Sequence, residues 1–290
     1  MSIAFEKLSA AIAEKCNPTV MGLDPLLEYV PEFIREGKTT ADAIFEFNKG
    51  LIDAVCDLVP AVKPQSAYYE KYGAQGLDAL RRTIAYAESC GMYVILDAKR
   101  GDIGSTASAY ADAYLGEGSG IDCMTVNGYL GSDGVQPFLD TARKNGRSIF
   151  VLVKTSNPSS SEFQDIMFGE KPLYRIVGEH VESWGAANIG ADGYSDCGAV
   201  VGATHPSQLR ELRAALPHTF FLVPGYGAQG GRAEDVALGF DNNGGGAVIN
   251  SSRALMCAYK KHDDAQNYKK YTRDAVCAMR DEINAALKNL

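Results

Sequence analysis

Residues 93–106 read YVILDAKRGDIGST. An apolar, β-rich run passes directly into Asp97, Ala98, Lys99, Arg100, Gly101 and Asp102, which puts two carboxylates and two cations within six residues. Such a run suits a strand buried on both faces, and the charges begin where that strand should end. A charge cluster at that position is a solvated turn, a structural ion-pair network or a reaction site. The rest of the chain decides what surrounds it.

The same pattern of apolar run, polar or Gly-rich corner and amphipathic stretch recurs along the sequence. Candidate strands are 19–24, 61–66, 93–99, 123–128, 148–155, 198–204, 219–225 and 246–252. Helical periodicity separates them. The stretch 40–58 has a Thr at its start, 76–91 and 132–146 stop at Gly, and 205–216 has a Pro near its first turn. Eight β units alternating with helices predict an α/β fold, a closed (β/α)₈ (TIM) barrel rather than a doubly wound open sheet. No low-complexity linker or composition shift divides the chain, so residues 1–290 are expected to form one domain. The longest irregular stretch, 156–174, is a candidate lid, and the tail after Ala258 reads as helical.

Composition narrows the function classes. The apolar share is 46% and the charged share 22%, as in ordinary soluble globular proteins. A formal net charge of −8 argues against general affinity for nucleic acid or anionic membranes. No stretch approaches the ~20 apolar residues of a membrane span. The first residues carry acids and lack a signal peptide's basic start and apolar centre. Seven scattered cysteines without a C-x-x-C motif favour a reducing cytoplasm over disulfides or zinc. The four histidines form no metal-binding spacing, so a His-based metal site is not expected.

In a barrel of this kind, chemistry gathers at the C-terminal ends of the strands. The polar residues there are Asp24, Lys63, Gln65, Asp97, Lys99, Asp102, Asn127, Lys154, Thr155, Ser156, Thr204, Gln229, Asn250 and Arg253. Strand alternation places Asp97 and Lys99 on the barrel side and Ala98 toward the helices. Lys63, in an apolar context on the adjacent strand, completes a possible alternating row of Lys63, Asp97, Lys99 and Asp102. Cations beside carboxylates keep them ionised when partly desolvated, and a lysine can stabilise a carbanion and then protonate it. A structural ion-pair network closing the barrel remains the alternative. At the other side, PGYGAQGG (224–231) and NSSR (250–253) follow strands seven and eight. Gly-rich backbone amides, Gln229 and Arg253 fit a phosphate site, with a plain turn as the alternative. Ser156 and Asn157 lack the spacing of a nucleophile and read as hydrogen-bonding groups. The Tyr68–Tyr69 pair and Trp184 read as packing.

With these residues assembled, the chain resembles orotidine 5′-phosphate decarboxylases, and within them the longer bacterial subgroup (type 2). The resemblance rests on GLDP (22–25), VKPQ (62–65), LDAKRGDIGST (96–106), VKTSNPS (153–159), VGAT (201–204), PGYGAQGG and NSSR, in that order. It implies a decarboxylase producing UMP from orotidine 5′-phosphate without metal or cofactor. Lys63, Asp97, Lys99 and Asp102 match the family's charged tetrad, with Lys99 protonating C6 and Asp97 facing the substrate carboxylate. The resemblance further implies a homodimer with shared sites, in which Asp102, Ile103 and Thr106 reach into the partner's site. Asp24 and Lys63 match ribose contacts, Ser156 a pyrimidine contact, and Gln229 and Arg253 the phosphate clamp. The rival readings are a Mg²⁺-dependent sugar-phosphate enzyme on the same barrel and a non-catalytic nucleotide-phosphate-binding module. Lys63 stands where the former carries an acid.

Overall fold

Short runs rich in Val, Ile, Leu and Phe set the architecture. In the computed structural model, which describes residues 4–227 and 230–289, these runs become β1 Thr19–Leu23, β2 Ala61–Pro64, β3 Tyr93–Arg100, β4 Cys123–Val126, β5 Ser148–Lys154, β6 Cys197–Val201, β7 Phe221–Pro224 and β8 Ala247–Ser251. Each pairs in parallel with its sequence neighbours, and β1 pairs with β8, with Thr19 opposite Ile249, so that the barrel closes. The expected barrel and all eight expected strands are present.

Alternation along each strand divides the apolar residues into two clusters. Val94, Leu96, Met124, Val151 and Val153 join the layer between barrel and helices. Ala61, Tyr93, Ile95, Cys123, Phe150 and Leu222 join a second cluster inside the barrel. The next inward positions above Ala61, Ile95 and Cys123 are Lys63, Asp97 and Thr125. The charged residues therefore top the same columns that fill the barrel interior, which is why they converge.

The helices expected around 40–58, 76–91, 132–146 and 205–216 occur as Thr40–Val55, Gly73–Ser89, Ser132–Lys144 and Pro206–Ala215. The Thr39 side chain caps the first by accepting from the Asp42 amide at 3.1 Å. The first residues, read only for targeting signals, form a helix, Ala4–Lys15, whose Phe5 and Leu8 enter the inner cluster. The Phe5 ring lies 4.9 Å from Phe150 and 5.0 Å from Phe220, closing the end of the barrel opposite the charged residues. The 156–174 stretch is partly ordered into a turn at Pro158–Glu162 and a small antiparallel pair, Met167–Phe168 with Lys171–Pro172, before the helix Leu173–Gly185.

Candidate active site

Asp97 is the centre of the site. Its Oδ2 accepts from Lys63 Nζ at 2.7 Å, and its Oδ1 accepts from Lys99 Nζ at 2.6 Å and from the Thr125 hydroxyl at 3.0 Å. Lys63 and Asp97 are only 3% and 8% exposed, so their charges interact with little solvent screening. Burial pushes the Asp97 carboxyl up, but the adjacent Lys63 and Lys99 ammoniums outweigh it and hold the group well below the usual carboxylate range. Burial likewise pushes Lys63 down, and the charges of Asp97 and Asp24 more than reverse it. Lys99 differs in having a side chain 45% exposed and open to the cavity.

Simple alternation does not carry Lys99 to this place. The β3–β4 pairing shifts between Leu96 and Arg100, and Lys99 adopts a left-handed backbone with φ 49°. That conformation costs a non-glycine residue about 1–2 kcal/mol. Thr125 holds it there: its Oγ1 accepts from the Ala98 amide at 3.0 Å and the Lys99 amide at 2.9 Å while its hydroxyl donates to Asp97. Thr125 was not singled out from the sequence, although Cys123 and Thr125 share the inward column of β4, and a polar residue high in that column was the available signal. Thr125→Val is expected to strand both amides at roughly 1–3 kcal/mol each. Loss of the Lys99 pose should then lower kcat at least about tenfold. Steady-state kinetics on a variant with unchanged circular dichroism checks this, and an unaltered kcat would remove Thr125 from the site.

The three charged residues form one wall of a cavity of about 760 Å³. Asp24, Tyr68, Thr155, Ser156, Asn250 and Arg253 line it as well, from the ends of β1, β2, β5 and β8. Asp24 has its carboxyl raised by burial, against the lowering effect of Lys63. Asp24 Oδ1 and Asn250 Oδ1 are buried and accept no hydrogen bond from the described residues, leaving two acceptors for ligand hydroxyls. Tyr68 lines the cavity, whereas Tyr69 is buried and bonded to Asn48, so only one of the pair is packing. Two glycines permit the close approaches. A Cβ on Gly22 would lie 1.9 Å from Ser252 Oγ, and one on Gly202 would lie 2.9 Å from Ser156 Cα.

Several expected residues stand elsewhere. Lys154 does not join the cavity: a shift in the β5–β6 pairing between Leu152 and Lys154 leaves its ammonium fully buried 5.7 Å from the Tyr174 ring. Asp102 is not ion-paired with Lys63 or Lys99 among the described residues, and its Oδ1 accepts from the Ile103 amide at 2.8 Å. Ile103 and Thr106 are exposed at the start of the helix Gly104–Leu115, off this chain's own cavity. Gln229 lies outside the described residues. The Gly-rich loop is also less open than expected. The amides of Gly227, Gly230 and Gly231 donate to carbonyls within the loop, and Tyr226 is tied to Glu282 on the C-terminal helix. Arg253 is thus the described cation available to a phosphate at this end.

Residues 22–271 match the model of the orotidine 5′-phosphate decarboxylase/HUMPS family. The chain is 44% identical to an orotidine 5′-phosphate decarboxylase of Rhodopirellula baltica, covering 96% of this chain and 97% of the relative. It is 43% identical to one from Clostridium tetani, covering 95% and 96%. The structure of a Leishmania donovani OMP decarboxylase superposes with a TM-score of 0.80 at 34% identity, covering 99% of this chain and all of the other.

Proposed function

Because the chain belongs to the orotidine 5′-phosphate decarboxylase/HUMPS family and decarboxylates orotidine 5′-phosphate to UMP, we propose that Lys63, Asp97 and Lys99, with Asp102 from a second subunit, carry the reaction. The observation that carries this assignment is the row Lys63–Asp97–Lys99, in which a buried Lys63–Asp97 pair meets a Lys99 open to the cavity through contacts of 2.7 and 2.6 Å. Asp97, held ionised, repels the carboxylate on C6 of the substrate more strongly than it repels the departing neutral CO₂. As the C6–carboxylate bond breaks, its electron pair remains on C6 beside the Lys99 ammonium. Lys99 then gives its proton to C6 and recovers one from solvent, for which its exposure suits it.

Asp24 and Lys63 hold ribose hydroxyls, Ser156 bonds the pyrimidine, and Arg253 with Gln229 holds the phosphate. Binding energy from the phosphate, remote from C6, helps organise the closed site. Metal-free chemistry is favoured over the Mg²⁺-dependent reading because Lys63 already places a buried positive charge between Asp24 and Asp97. Purified protein in excess EDTA is therefore expected to bleach orotidine 5′-phosphate absorbance at its full rate. Activity that needed added Mg²⁺ would favour the sugar-phosphate-enzyme mechanism, and tight UMP binding without CO₂ release would favour a binding module.

A homodimer is part of the same proposal. Ile103, Tyr129 and Leu130 are 56%, 89% and 49% exposed. Leu130 and the Asp102 carbonyl both border Gly134, which places this apolar face beside Asp102. A second copy covering it explains both the exposed apolar side chains and an Asp102 that joins no lysine among the described residues. No helix among the described residues is long and apolar enough to cross a membrane. The free cysteines suit a cytoplasmic enzyme.

A further inference from the structure

Lys154 is the most deeply buried cation outside the reaction site, with no exposed surface at the end of β5. Its Nζ donates to Asp165 Oδ1 at 2.6 Å and to Ser160 Oγ at 3.2 Å, and it faces the Tyr174 ring. All three partners belong to the 156–174 stretch. From the helix Pro206–Ala215 and its start, Gln208 Nε2 also donates to Asp165 at 3.3 Å, and His205 Nε2 lies 3.5 Å from Ser160 Oγ. The same stretch turns its other side to the cavity. Gln164 accepts from the Thr155 amide at 2.9 Å and donates to the Thr155 hydroxyl at 2.8 Å. Gln164, Thr155, Ser156 and Asn157 all line the cavity.

Burying an ammonium is expensive, and a well-packed apolar side chain would serve barrel stability as well or better. What the charge adds is a requirement for one arrangement of its partners. We infer that Lys154 is a positioning residue: with Asp165 it fixes the 156–174 stretch around its buried ammonium, so that Ser156 and Gln164 meet the substrate's ring. The inference rests on the pyrimidine role proposed for Ser156. It also assigns the stretch a task distinct from that of Arg253, because ring contacts and phosphate contacts are then held by separate supports.

Two ligands separate these supports: UMP, which has the ring, and ribose 5-phosphate, which lacks it. Lys154→Met and, as the variant with a partly exposed site of change, Asp165→Asn are each titrated with both. The expected result is roughly tenfold weaker UMP binding, with ribose 5-phosphate unchanged within about twofold. In turnover, KM should rise about tenfold with kcat changed less than about threefold. The double variant Lys154→Met/Asp165→Leu, which leaves no buried charge unpaired, should regain thermal stability and still bind UMP weakly. Parent-like UMP affinity in either single variant overturns the inference, as does an equal loss of both ligands or full recovery of UMP binding in the double variant. Ser156→Ala, measured alongside, tests the underlying reading separately. Unchanged UMP affinity there removes the Ser156 contact, whereas loss there with parent-like Lys154→Met removes only the role of Lys154.

Discussion

Replacing Lys99 by alanine is expected to lower kcat roughly 10⁴-fold, because in the proposed mechanism one side chain both stabilises the C6 carbanion and protonates it. The fold should survive. The Lys99 side chain is 45% exposed, and alanine removes no buried apolar volume. Asp97 keeps Lys63 at 2.7 Å and the Thr125 hydroxyl at 3.0 Å, so its charge is not left unpaired. Substrate binding should fall much less than turnover, since Asp24, Ser156 and Arg253 are untouched. The modest loss that is expected comes from Asp97, whose proposed repulsion toward the substrate carboxylate Lys99 no longer partly offsets. Rapid-quench or absorbance kinetics with a thermal melt would check this, and near-normal decarboxylation by the folded variant would falsify the role given to Lys99.

The barrel was legible because parallel strands buried on both faces must be nearly continuously apolar, and eight such runs recur between helical stretches. The convergence of Lys63 and Asp97 followed from the same rule, since each is the next inward residue above a side chain of the barrel interior. Alternation along β3 accounts for only part of the contact between Lys99 and Asp97. Regular pairing breaks between Leu96 and Arg100, and a left-handed Lys99 pinned by Thr125 makes the contact. A tertiary hydrogen bond from another strand leaves no periodic trace in residues 93–100.

Lys154 marks the opposite case. Its position at a strand end suggested the cavity, but an irregularity in pairing turned it to the outer side, where Asp165 receives it. Such a shift depends on two strands together and is not written in either one. The Gly-rich sequence fits either amides free for a phosphate or a plain turn, and three of the amides donate to carbonyls of the loop itself. Glycine content reports conformational freedom, including φ of 105° at Gly225, and not what the amides bind. The helix Ala4–Lys15 has Phe5, Leu8 and Ile12 at helical spacing, so its amphipathic face was readable, but its role as the plug of the barrel was not.

In the proposed dimer, one catalytic site takes Lys99 from one subunit and Asp102 from another. Asp102→Ala alone is expected to lower turnover roughly 10³-fold by removing a fixed charge beside the reacting carbon. Together with Lys99→Ala it gives a direct measurement: the two inactive proteins are mixed, exchanged to equilibrium and assayed. In a mixed dimer with twofold symmetry of contacts, one site holds both mutations and the other holds neither. With random exchange of equal amounts, about a quarter of the wild-type activity should return. If Asp102 served the site of its own chain, every site in the mixture would lack one of the two groups. No recovery after subunit exchange has been demonstrated would contradict the account.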